Sequence, residues 1–100
     1  MNFHDLLEKM VQHGASDMFV TAKLAVSAKV NGELVPIDDH VLSADESLGL
    51  VHDAMSDKQK TAFDEEKECN FAISIDDIGR FRISAFWQRD MAGMGIRRIV

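Results

Sequence analysis

The sequence predicts an α+β fold in which one antiparallel sheet of about six strands carries helices packed on it, in the order α-βββ-αα-βββ. Three observations predict it. Apolar residues recur at helical spacing in three segments, each opened by a capping signal. They alternate with period two in segments rich in β-formers. The strands come in two runs of three separated by helices, which suits hairpin-connected antiparallel meanders rather than the strand–helix alternation of a parallel sheet.

Phe3, Leu6, Leu7, Met10 and Val11 lie on one face of a first helix, with Asn2 as its N-cap and Gly14 where it stops. Two strands follow, Met18 to Ala22 and Ala25 to Val30. Asn31-Gly32 then leads into a third, Glu33 to Ile37, because this dipeptide accepts the two positive φ angles of a tight hairpin turn. Pro36 has no N–H to donate to a ladder, so this third strand belongs at an edge or is ending. Ser43-Ala44-Asp45-Glu46 is a capping box opening a helix with Leu48, Val51 and Met55 on one face. A second box, Ser56 to Gln59, opens the next helix through Ala62 and Phe63 and implies a bend between the two.

Cys69, Phe71, Ile73 and Ile75 then alternate with Asn70, Ala72 and Ser74, and Asp76 to Gly79 turns the chain into a strand from Arg80 to Trp87. On that strand Phe81, Ile83, Ala85 and Trp87 share one face, while Arg80, Arg82 and Ser84 share the other. Trp87 and Phe86 point to opposite faces, which places at least one of them near a packing surface. After a loop from Arg89 to Gly93, a last strand runs from Gly95 to Val100.

With 46% hydrophobic and 28% charged residues the chain can bury a core and is not a disordered segment. Its single cysteine, Cys69, excludes an internal disulfide, points to a reducing compartment and sits on the predicted core face. No signal-like start or long apolar run occurs, so the expected location is cytoplasmic. A net charge of −6 disfavours nucleic-acid binding. The charge is uneven, however: from residue 80 onward Arg80, Arg82, Arg89, Arg97 and Arg98 face the single acid Asp90.

No complete catalytic centre can be assembled. His4, His13, His40 and His52 are scattered without metal-ligand spacing, and no metal site is expected. Gly93-Met94-Gly95 is too short for a dinucleotide loop and no Walker-type phosphate loop occurs. The acidic runs Asp64-Glu65-Glu66 and Asp76-Asp77 read as solvated ends of elements. The arginines are the one sharp constellation, because guanidinium forks match phosphate oxygens. By physics alone, ion pairing with the acidic remainder of the surface is the plainer reading of an exposed strand arginine.

Several segments coincide with one family. Gly14-Ala15-Ser16-Asp17-Met18, Val30-Asn31-Gly32, Glu68-Cys69-Asn70-Phe71-Ala72 and Gly79-Arg80-Phe81-Arg82-Ile83-Ser84-Ala85-Phe86, with Ala92-Gly93 and Arg97, resemble the N-terminal domain of the PilT/PilU type IV pilus retraction ATPases. The match runs in order along essentially all 100 residues, and the segment from Glu68 to Ser74 is closer to the PilU type. Lys23-Leu24-Ala25-Val26 departs from the Gly-x-Pro-Pro usual there. Lys29 stands where PilT-type sequences often have arginine.

The resemblance implies a single PAS-like domain over residues 1–100, with the RecA-like ATPase domain expected after it absent from this chain. It implies a part in pilus retraction and twitching motility, by assembly into a homo-hexamer against a neighbouring subunit's ATPase domain at the inner-membrane face of a pilus machine. A PilT-type ATPase and the inner-membrane platform are the implied partners. ATP and magnesium would belong to the full-length protein and no cofactor to this segment. Arg82 and Arg97, with Arg80 behind them, become the residues that reach nucleotide phosphates, none of them catalytic without the second domain. The competing reading is a PAS-like sensory module holding a small ligand between sheet and helices.

Overall fold

Each helix begins where its capping residues stand. The computed structural model describes all 100 residues. In α1 (Phe3–Gln12) the Asn2 side chain accepts the Asp5 N–H at 2.8 Å and the Asp5 carboxylate accepts the Asn2 N–H at 3.2 Å. The same reciprocal box opens α2 (Ala44–Asp53) at Ser43 and Glu46, and α3 (Asp57–Glu66) at Ser56 and Gln59. Two orphan N–H groups are satisfied at each start. The Ser56 cap breaks what would otherwise be one rod. Gly14 takes a left-handed φ of 64° just past α1, a conformation that glycine adopts without strain.

Six strands, β1 (Asp17–Val20), β2 (Ala25–Val30), β3 (Glu33–Val41), β4 (Glu68–Ile75), β5 (Gly79–Gln88) and β6 (Met91–Ile99), form one sheet in the order β3-β2-β1-β6-β5-β4. Every neighbouring pair is antiparallel. Two meanders are thus joined side by side through β1 and β6, giving the expected α+β arrangement. Asn31 and Gly32, with φ of 50° and 81°, form the predicted tight turn, and Pro36 lies on the edge strand.

The helices cover one face of the sheet. Met18, Val20, Val26, Ala28, Phe81, Ile83, Ala85, Met94 and Ile96 point into it and meet Phe3, Leu6, Leu7 and Met10 of α1, Leu50 and Val51 of α2, and Phe63 of α3. Ser47 is the one buried polar residue, and its hydroxyl donates to the Ala92 carbonyl, which ties α2 to β6.

Four expectations are corrected. β6 begins at Met91 rather than Gly95, because the connection is a two-residue turn in which Arg89 and Asp90 both take positive φ, 52° and 60°. No glycine marks that turn. β3 continues past Pro36 to Val41, an edge position at which a missing N–H breaks no ladder bond within the sheet. Cys69 is half-buried rather than fully so, since β4 is also an edge and the helices only partly cover it. On α2 the expected Val51 and, just past the helix, Met55 are buried, but Ser47 and Leu50 join them on the inward face and Leu48 lies at its border. The Lys23 departure is absorbed by a turn in which Lys23 takes φ 72° and its N–H donates to the Leu42 carbonyl.

Two glycines should respond in opposite directions. A Cβ on Gly49, inside α2, would meet nothing within 4 Å, so Gly49→Ala is expected to stabilise the chain by about 0.5–1 kcal/mol through helix propensity. A Cβ on Gly93 would stand 2.8 Å from the Val20 carbonyl oxygen and 3.0 Å from the Phe86 ring, so Gly93→Ala should cost about 1–3 kcal/mol. Urea denaturation of both variants checks the pair.

Candidate functional site

The face of the sheet that the helices leave open carries the arginines. Strand alternation sends Phe81, Ile83 and Ala85 inward, so Arg80, Arg82 and Ser84 face outward, as the sequence predicts. The register then decides which arginines meet. Arg82 of β5 stands directly opposite Arg97 of β6, and on the other side of β6 Arg97 stands opposite Asp17 of β1. One row across the sheet therefore reads Lys29, Asp17, Arg97, Arg82, with all but the half-buried Asp17 exposed or nearly so. Arg80 lies on the same face two residues along β5, opposite Ile99.

Arg97 Nε donates to Asp17 Oδ1 at 3.1 Å, while its side chain stays 73% exposed. Arg82 and Arg80 have no ion-pair partner. Like charges directly opposite on neighbouring strands repel, so the Arg82–Arg97 pair holds an unfavourable interaction that an anion placed between the two would relieve. The plainer reading, pairing with surface acids, holds for Arg97 in part and for the other two not at all.

Arg82 and Arg97 line one shallow depression of about 310 Å³ together with Asp17, Phe19, Ser84, Gly95 and Ile96. Gly95 lowers its floor: at the centre of the sheet it leaves the backbone uncovered between Phe19 and Ser84. Arg80 is not among the lining residues. Sequence reasoning missed Asp17, Phe19 and Gly95 as parts of this site. Their only signal was outward parity on their own strands, and nothing local indicates that β1 lies beside β6.

Burial raises the Asp17 carboxyl. The hydrogen bond from Ser16 Oγ at 2.7 Å, the Arg97 hydrogen bond and charge, and the Lys29 charge outweigh it and hold the group below its ordinary value. A depressed acid contributes stability above its unfolded pKa of about 3.9 and loses that contribution as pH falls through the folded value. Asp17→Asn is therefore expected to cost about 0.5 kcal/mol at pH 7, a surface-pair magnitude given how exposed Arg97 is. The gap to the parent chain should close below about pH 3. Denaturation at the two pH values reads this.

A second cavity, about 640 Å³, lies on the other side of the molecule and is lined by Asp38, His40, Leu42, Glu46, Gly49, Leu50 and Asp53 among others. Its carboxylates are already bonded within the chain. Glu46 holds His40 Nε2 at 2.7 Å and the Ser43 N–H at 2.9 Å, Asp53 holds the Phe3 N–H at 2.8 Å, and Asp38 holds the His40 N–H at 3.1 Å. The one cluster with metal-ligand proximity, His4, Asp5 and Glu8, is exposed on α1, and Asp5 serves its cap. No helix is long and apolar enough to cross a membrane.

No protein-family profile matches the chain. It is 48% identical over 99 residues to the type IV pilus ATPase PilU of Pseudomonas aeruginosa, covering 99% of this chain and 26% of that protein. It is 33% identical over 99 residues to the type IV pilus retraction ATPase PilT of the same organism, covering 29% of it. Among solved structures, the pilus retraction motor PilT with bound ADP superposes over the whole chain with a TM-score of 0.91 at 22% identity, and the match spans 29% of that molecule. The Legionella pneumophila ATPase DotB superposes with a TM-score of 0.81 at 19% identity. With this identity along nearly its whole length and with the same fold, the chain is a homologue of the N-terminal part of the PilT/PilU-type pilus ATPases, and it spans about a quarter of the length of the curated relatives it matches.

Proposed function

We propose that the chain is the assembly and nucleotide-contacting domain of a PilU-like retraction ATPase, in which a separate RecA-like domain performs the hydrolysis. The observation that carries this reading is the register of β5 and β6, which sets Arg82 opposite Arg97 on the open face. The fit to an anion is good: two guanidinium groups, one of them unpaired, flank a floor of glycine and serine. The fit to magnesium is poor, since the only carboxylate in the depression is Asp17, which already accepts from Arg97 and Ser16. The ATPase domain would therefore hold the metal and the attacking water. Arg82 and Arg97 of this chain would place positive charge against phosphate oxygens, and Arg80 would add to the field from outside the depression.

In this reading the domain works within a hexamer, packed on a neighbouring subunit's ATPase domain in the cytoplasm at the inner-membrane face of a pilus machine, beside a PilT-type ATPase. A sensory role is less well supported. The larger cavity has the volume of a ligand pocket, but its polar groups are satisfied within the chain rather than converging on its interior. The purified 100-residue chain is expected to give no ATP turnover above a contamination control and no binding near 1 μM, about −8 kcal/mol, by calorimetry. Turnover, or binding that tight, would remove the accessory-domain reading.

A further inference from the structure

The two edges of the sheet are built differently. The β3 edge carries Pro36, the charged Glu33, Asp38 and Asp39, and a shift of register against β2 between Ala25 and Ser27. All of these are devices that discourage another strand from adding. The β4 edge has no proline and no register shift, and its one charged residue is Glu68 at its start. It pairs with β5 without interruption from Glu68 opposite Phe86 to Ile75 opposite Gly79, and it contains no proline, glycine or lysine. Its outward-facing residues after Glu68 are Asn70, Ala72 and Ser74. On the helix side Cys69, Phe71, Ile73 and Ile75 form a row that is only half-buried against the core. An added strand would continue the ladder and bury that row.

Charge decides what kind of strand fits. One end of β4 is flanked by the exposed Glu65, Glu66 and Glu68, among which Lys67 is the one cation and lies over the Trp87 ring at 5.0 Å, and the other by the exposed Asp76 and Asp77. A second copy of this chain, pairing antiparallel through β4, would set the first group of acids against the second, and like charges directly opposite destabilise a strand pair. A partner strand with basic residues at both ends meets acids at both ends in either direction. We propose that β4 is a docking edge for an extended segment of another polypeptide, alternately apolar along its length and carrying lysine or arginine at each end. This surface is distinct from the arginine face and does not depend on the nucleotide reading.

The test is a titration of the isotope-labelled chain with a peptide of alternating isoleucine and threonine, capped by two lysines at each end, and with its twin capped by glutamates. The lysine peptide is expected to shift and protect the amides of β4 but not those of β3, and to weaken about tenfold when salt is raised from about 0.05 to about 0.3 M. The glutamate twin should not bind. The charge-swapped variant Glu68→Lys/Asp76→Lys should reverse the preference by at least about tenfold, as complementary charge sets specificity at such edges. If the double variant does not fold, Asp76→Lys alone, in an exposed turn, serves the same purpose. Absence of binding, shifts at α3 without protection of β4, or a preference unmoved by the charge swap would overturn the proposal. So would a dimer formed through β4 without peptide, which would make a second copy the occupant.

Discussion

On the function proposed above, alanine at Arg82 or at Arg97 is expected to lower ATP turnover of the full-length ATPase carrying this domain by roughly 10²–10³-fold, the loss typical of removing one preorganised donor from a developing negative charge. The 100-residue chain itself should barely notice. Arg82 is exposed and unpaired, so its replacement should change stability by no more than about 0.5 kcal/mol, and removing a like-charged neighbour of Arg97 acts in the favourable direction. Arg97→Ala also leaves Asp17 without its partner, so its cost should be nearer 1 kcal/mol. Lysine at either position should restore only part of the turnover, because a point charge cannot reproduce a two-pronged contact. Arg80→Ala, outside the depression, should have a smaller effect than either. Thermal melts of the chain and turnover of that full-length ATPase, measured on the same variants, separate the outcomes. Normal turnover in Arg82→Ala would return that side chain to an ordinary surface role, whereas a lost melting transition would mean that it supports the fold.

The largest stability effect should come from Phe63→Ala, at about 3–5 kcal/mol, a large share of the roughly 5–15 kcal/mol that holds a domain of this size. Phe63 is the only fully buried residue of α3. Its ring stacks on Trp87 at 5.6 Å and 25°, and meets the edge of His52 at 6.3 Å. Without it α3 has little apolar surface to hold it on the sheet, and the start of β4, which α3 leads into, loses its cover. Trp87 is the only tryptophan, so its fluorescence should report the loosening directly. Phe63→Leu should retain most of the stability but not the stacked geometry. A variant Phe63→Ala that unfolds at the parent's denaturant midpoint would show that α3 is held by its other residues.

Most of the secondary structure was legible because its causes are local. A capping box needs only residues three positions apart, the Asn31-Gly32 turn depends on two residues, and outward or inward parity along β5 follows from alternation. These are enough to determine three helices, most strand positions, and the outward direction of Arg80 and Arg82. The Arg89-Asp90 turn escaped because Arg89 has no preference for positive φ and Asp90 tolerates it without the glycine that usually marks such a turn, and the pairing of β5 with β6 holds both there. The burial of Cys69 was overestimated for a related reason. Alternation tells which face a side chain takes, but not whether a helix extends over it.

By itself the sequence determined two meanders, three capped helices, a domain without its own phosphate loop, and an arginine-rich C-terminal fifth. Only the tertiary structure decided that β1 and β6 lie side by side. Their pairing joins residues 80 positions apart, so no turn or periodicity encodes it. It comes from burying the inner faces of both meanders under the same helices. That single pairing sets Asp17 against Arg97 and gathers Phe19 and Gly95 beside Arg82. The same strand order leaves β4 at an edge, where its half-buried apolar row remains open to a partner.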